Sequence, residues 1–265
     1  MKLIIPTFFS KTFISVGFIF LMGNFLCAQE NDSIYDHDIT KQAWFTFQPG
    51  WQISERVKLN TEIGYRTVSP KSWNRFNTKA ELSYALDEFN LRKFVFDQRL
   101  VSGVGYYYIH NFNDIDAFEL RIYQGYKIGF NLTNRIDFLH YFRLEERFTN
   151  PFRDDGSSFG LRLRYKITGN INLEGLFVSK GRGFYIPIDV EFFFNIKSSK
   201  QINDIIRLSP GVGYVVDPTF KIQFNISYHY TKQEFEELVR TNDIIFRLRV
   251  YKTFKLKKDK KPGTL

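Results

Sequence analysis

The side chains of this chain with chemical potential are arginines and glutamates set at every second position. Glu119 and Arg121 alternate with Phe118, Leu120 and Ile122, while Arg143, Glu145 and Arg147 alternate with Phe142, Leu144 and Phe148. Arg162 and Arg164 interleave with Leu161, Leu163 and Tyr165, and Glu174 follows Leu173. Glu191 lies between Val190 and Phe192, Arg207 precedes Leu208, and Arg247 and Arg249 interleave with Phe246, Leu248 and Val250. Two carboxylates such as Glu145 and Glu191 could divide acid and base work between them. Arginines outnumber the acids around them, however, which points to ion pairing. His37, His110, His140 and His229 lack metal-site spacing, and Gly181-Arg182-Gly183 is too short for a phosphate loop. No catalytic residue, metal or cofactor is expected.

The elements that must position these charges are strands. Successive side chains of a strand point to opposite faces, so each segment has one apolar and one charged face. A soluble sandwich would turn the apolar face inward, whereas a membrane barrel turns it outward and keeps the charges in the lumen. The apolar face persists on nearly every strand at the span a tilted crossing needs, roughly nine to eleven residues. The expectation is an all-β, antiparallel up-and-down transmembrane β-barrel with a polar, charged lumen. It would have roughly ten to twelve strands, twelve favoured.

Turn signals fall at Ser54-Glu55, Leu132-Thr133-Asn134, Gly169-Asn170 and Asp217-Pro218, with long loops at Thr149–Ser157 and Thr231–Asn242. Their phases agree if Ile171 to Phe194 is one long, bulged strand, which leaves eleven strands unless the fourth strand region or the lead-in holds another. With Thr133 at the centre of its turn, Glu145 would oppose Arg121 and Arg147 would oppose Glu119. A turn over Thr168–Asn170 would set Arg164 against Glu174. In the same registers Tyr126 and Lys166 flank His140 with no serine near, which disfavours an acyl hydrolase on the outer face. His229 faces the lumen and meets Arg207.

The first 28 residues read as a cleaved signal peptide. Lys2 and Lys11 precede an apolar run from Phe13 to Leu26, and Cys27-Ala28-Gln29 suits a cut before Gln29. Cleavage would remove Cys27, the only cysteine. The expected organisation is signal peptide 1–28, flexible lead-in 29–41, barrel 42–254 and basic tail 255–265. The formal charge of +9 is concentrated in the leader and tail, so the barrel is nearly balanced and no nucleic-acid stripe is present. The 30 Phe and 15 Tyr fit strands and the aromatic girdles of a membrane barrel.

His140-Tyr141-Phe142-Arg143-Leu144-Glu145-Glu146-Arg147-Phe148, then Arg162-Leu163-Arg164-Tyr165, resembles the DUF2490 family of bacterial proteins. Glu191-Phe192-Phe193-Phe194-Asn195 and Asn203-Asp204-Ile205-Ile206-Arg207 extend the likeness, which covers roughly Trp44 to Phe254. The resemblance implies an exported, outer-membrane barrel-like protein of uncharacterised role and carries no catalytic residues with it. Expected partners are outer-membrane lipid and, through the last strand ending at Phe254, the barrel-assembly machinery. The readings in order are a narrow pore or transport barrel in the bacterial outer membrane, a closed structural or docking barrel, and a lipid-modifying enzyme.

Overall fold

The computed structural model describes residues 39–69, 73–112, 115–152, 156–173, 182–197, 203–235 and 237–255. The expected signal peptide, most of the lead-in, Glu174 and all of the basic tail but Lys255 lie outside the described residues. The described chain forms β1 (Ile39–Gln52), β2 (Val57–Ser69), β3 (Trp73–Ala85), β4 (Phe89–Leu91), β5 (Phe94–Asn111) and β6 (Ala117–Thr133). It continues through β7 (Ile136–Pro151), β8 (Ser158–Asn172), β9 (Gly183–Lys197), β10 (Asn203–Asp217), β11 (Phe220–Phe235) and β12 (Glu237–Lys255). Among the described residues these make a twelve-stranded sheet. Eleven strands close into a barrel, and the short β4 adds only to β5.

Closure departs from the expected all-antiparallel wall at one seam. Sequential neighbours in the ring pair antiparallel, but β1 and β12 pair in parallel, from Ile39 opposite Asn242 to Gln52 opposite Lys255. The reason is parity: in an up-and-down meander of eleven strands the first and last run the same way. β1 therefore starts at the rim opposite the one where β12 ends. Trp51 and Phe254, partners across the seam, stack with ring centroids 5.6 Å apart.

Gly169-Asn170 does not turn. β8 runs straight through, setting Gly169 against Phe138 and Asn170 against Asp137. The Asn170 amide donates to the Asp137 carboxylate at 2.7 Å, so the strand offers this turn-prone pair a cross-strand partner. Ile171 thus belongs to β8 and not to a strand running on to Phe194. The short connections Ile53–Arg56, Asn134–Arg135 and Pro218–Thr219 then all fall at one rim. At the other rim the loop expected over Thr231–Asn242 is largely hairpin, paired as far as Phe235 and Glu237.

The barrel is inside-out relative to a soluble core. Nineteen polar or charged side chains are buried among the described residues against nine large apolar ones, while Phe45, Leu82, Phe194 and Phe224 are each more than 40% exposed on the outside. Interior glycines let the wall pack over itself. Gly103 lies opposite Tyr123 and Gly213 opposite Tyr185, and each tyrosine ring occupies the space a Cβ would take. Valine at 213 must displace Tyr185, whose hydroxyl donates to Gln223 at 2.9 Å. Gly213→Val is expected to destabilise the barrel by about 1–3 kcal/mol, read as a lowered urea midpoint in detergent. Gly129→Ala, whose Cβ meets nothing nearer than 3.5 Å, should leave the midpoint in place; equal midpoints for both would contradict this packing.

Candidate functional site

The charged face of every barrel strand turns into the lumen, where two carboxylates are almost wholly buried. Glu119 on β6 is 0% exposed. It accepts from Arg121 Nε at 2.7 Å and from Arg147 Nε at 2.5 Å. Glu145 on β7 is 1% exposed. It holds three guanidinium groups: Arg162 and Arg164 at 2.7 Å and Arg143 at 2.8 Å. Arg164 also reaches Glu191 on β9, whose second oxygen takes Arg207 at 3.3 Å. Phe193 packs beneath this wall, with the guanidinium carbons of Arg162, Arg164 and Arg207 at 5.2, 4.8 and 5.0 Å from its ring centre.

Ten of the eleven barrel arginines and carboxylates expected here that fall among the described residues join this network or its continuation. Arg249 reaches Asp189 at 3.3 Å, and Lys166 reaches the same oxygen at 3.2 Å. The exception is Arg247, whose guanidinium lies 5.4 Å from the Trp44 ring centre without a carboxylate partner among the described residues. His229 meets Arg207 as expected, Nε2 to Nη2 at 3.2 Å.

The pairings differ in detail from the simple hairpin registers. Glu119 with Arg147 forms, but Glu145 with Arg121 does not: Arg121 lies opposite Arg147, and Glu145 lies opposite Tyr123. The turn is Asn134-Arg135, with an irregularity between Asn131 and Thr133, which slides the register by two residues. A slip of two keeps every side chain on its face and changes only its partner. Arg164 lies opposite Arg143 on one side and Phe193 on the other, and its expected partner Glu174 is outside the described residues.

The candidate set expected from the sequence leaves out a second group of charges, on β2, β3 and β6. Glu62 accepts from Lys79 at 2.5 Å, from Gln48 at 2.9 Å and from Asn77 at 3.0 Å. Glu81 accepts from Lys127 at 2.6 Å and Tyr141 at 3.2 Å. The same alternation would have found them, because each lies in step with the lumen face of its strand.

Between these walls runs a cavity of about 1370 Å³. Its lining extends from Pro218 and Phe220 at the rim of short turns to Trp73 and Asn111 at the other. Sixteen lysines and arginines line it against seven carboxylates. Adding buried Glu119 and Glu145 still leaves seven positive charges in excess.

Outside the lumen, His140 has Ile128 and Ile167 as cross-strand neighbours in place of the expected Tyr126 and Lys166. Its Nδ1 lies 2.7 Å from the Tyr165 hydroxyl, and its ring stacks between Phe130 and Tyr165. These contacts make it a rung of an aromatic ladder. Beyond β5, Asp116 pins its loop: Tyr108 Oη donates at 2.5 Å, His110 Nδ1 lies at 2.8 Å and the Asn111 amide donates at 3.0 Å. Among the described residues no group of His, Cys, Asp or Glu is gathered as metal ligands would be. No helix there is long and apolar enough to cross a membrane, which says nothing of crossing by strands.

Fold and lumen together define a closed all-β barrel with an ion-paired interior around a cavity. The chain belongs to the family described as protein of unknown function (DUF2490), which it matches over residues 41–239. No curated protein matches it.

Two outcomes follow from this geometry. Glu145→Gln leaves three buried guanidinium groups without their shared countercharge, and losing one side of a buried pair costs about 3–5 kcal/mol. Urea unfolding in detergent should show a loss of that order; an unchanged midpoint would remove Glu145 from its central place. The hydrogen bond from Tyr108, with help from His110, holds the Asp116 carboxyl down at about 2, below its usual 3.8. Its folded value is the lower one, so the loop contact is fully stabilising above the usual value and is lost as pH falls through about 2. The Asn111 amide resonance should titrate with a midpoint near that value, and the titration should disappear in Asp116→Asn.

Proposed function

We propose that this protein is a bacterial outer-membrane barrel, exported by its first 28 residues, whose lumen is a narrow pore preferring small anions. The excess of positive side chains along an end-to-end cavity carries this reading. Field lines from like charges on low-dielectric walls concentrate counter-ions, and rings of Arg and Lys favour anions in pores.

The membrane part rests on the inverted distribution of side chains and on two aromatic belts. At the rim of short turns Phe89, Phe96, Phe130 and Phe138 contact in series, with centroids 4.8 to 5.7 Å apart. At the other rim Tyr106 and Phe152 flank Phe118, while Phe148 meets Phe159. Aromatic girdles at both interfaces are the pattern of outer-membrane barrels, and we place the rim with the two-residue turns Asn134–Arg135 and Pro218–Thr219 on the periplasmic side. In that orientation Phe254 ends the last strand at the periplasmic rim, where assembly machinery would read it.

Extended along a hydrocarbon core about 30 Å thick, a cavity of this volume is narrow and suits water, inorganic ions and slender organic anions. Reconstituted into planar bilayers under a KCl gradient, the protein is expected to give small discrete conductance steps with a reversal potential of the sign set by chloride. A flat trace from barrels that remain heat-modifiable would overturn the pore and favour a barrel closed by its own ion pairs.

A further inference from the structure

The two sides of the lumen neutralise their arginines differently. Phe193 and Trp44 are both buried aromatic plates surrounded by guanidinium groups. Those over Phe193 have carboxylates: Arg162 and Arg164 share Glu145, and Arg207 takes Glu191. Over Trp44 the guanidinium of Arg66 lies 3.9 Å from the ring centre and that of Arg247 lies at 5.4 Å. Neither has a carboxylate within ion-pair distance among the described residues, and nor does Arg75, which lies directly opposite Arg66.

These residues form one row across four strands: Arg75 faces Arg66, Arg66 faces Trp44, and Trp44 faces Arg247. Like charges directly opposite on neighbouring strands destabilise a sheet. Stacking on an indole offsets part of this but supplies no countercharge, and arginine does not escape by losing its proton. The described acids facing the lumen from these four strands are engaged elsewhere: Glu62 by Lys79, Glu81 by Lys127 and Asp243 by His229. In addition, the Nε atoms of Arg75 and Arg247 are buried without a hydrogen-bond partner, as is that of Arg143 on the carboxylate-rich wall. An unmet buried donor is costly, and all three guanidinium groups line the cavity.

We propose that Arg66, Arg75 and Arg247 form an oxyanion-binding station against Trp44, taking a small phosphate- or carboxylate-bearing solute from the lumen. Guanidinium forks match both groups with paired donors. The bound oxyanion provides a countercharge in direct contact, where Glu62 and Glu119 act on these arginines only from beyond ion-pair distance. The station rests on the reading of the lumen as open to solutes but does not require current to flow.

The test is calorimetry on the full barrel in non-ionic detergent. Inorganic phosphate and citrate are titrated separately at ionic strength held constant with NaCl. Saturable binding of at least one probe is expected, weakened about tenfold or more in Arg66→Gln/Arg75→Gln, since each removes charge-assisted hydrogen bonds. Arg56→Gln, at an exposed turn where Arg56 pairs with Asp87, should bind like the parent. The double variant relieves repulsion, so without either probe it should melt no lower than the parent, and neither probe should raise its melting temperature. No saturable binding of either probe, or equal binding by parent and double variant, overturns the station. Binding with a flat bilayer trace removes the pore alone; conduction without binding removes the station alone.

Discussion

The lumen depends on the neutralisation of charge that the fold takes inside. Glu119 and Glu145 are buried on adjacent strands, and between them they hold five arginines. Without those carboxylates, β6 to β8 would set Arg121 against Arg147 and Arg143 against Arg164 with nothing between. Like-charged neighbours would then oppose the ladder that joins their strands. Each carboxylate shared among several guanidinium groups converts a repulsive row into an attractive one. Burying charge is expensive unless it is both paired and hydrogen-bonded; all five arginines here are paired, and Arg121, Arg147, Arg162 and Arg164 also donate hydrogen bonds to their carboxylates.

Closure imposes the second constraint. A strand with an unpaired edge exposes its N–H and C=O groups, and a barrel removes that liability by joining its ends. Here the ends are joined in parallel, along fourteen residue partners from Ile39 to Gln52. The seam is also where the lumen changes character. Trp44 sits on β1 with Arg66 on one neighbouring strand and Arg247 on the other, so the carboxylate-poor wall is built around the junction of the two chain ends. Arg207 connects the two regimes, lying 5.1 Å from the Trp44 ring centre and 5.0 Å from that of Phe193.

The lumen is thereby divided in how its charge is paired. The side containing Glu119, Glu145 and Glu191 is ion-paired by its own residues. The side containing Arg66, Arg75 and Arg247 keeps a positive field turned toward solvent. In the proposed membrane setting, the low dielectric around the barrel strengthens that field over what the same charges would exert on a water-exposed surface.

How much of this was legible beforehand follows from the range of each interaction. Alternation along Phe246, Arg247, Leu248 and Arg249 is a property of one strand, because a pleat points neighbours to opposite faces whatever lies alongside. The sequence by itself therefore determined the barrel class, the apolar exterior, and which arginines and glutamates face inward. Partners were another matter. Sliding β6 against β7 by two residues exchanged Arg121 for Tyr123 opposite Glu145 without moving a side chain to the other face. Gly169-Asn170 carries every local mark of a turn, yet it stays in β8 because Asp137 and Phe138 across the ladder receive it. The ring has eleven strands, so its closure is parallel, and this sets Trp44 between Arg66 and Arg247. Register, strand number and the unpaired row could come only from the tertiary structure, because each depends on which strand a residue meets across the ring.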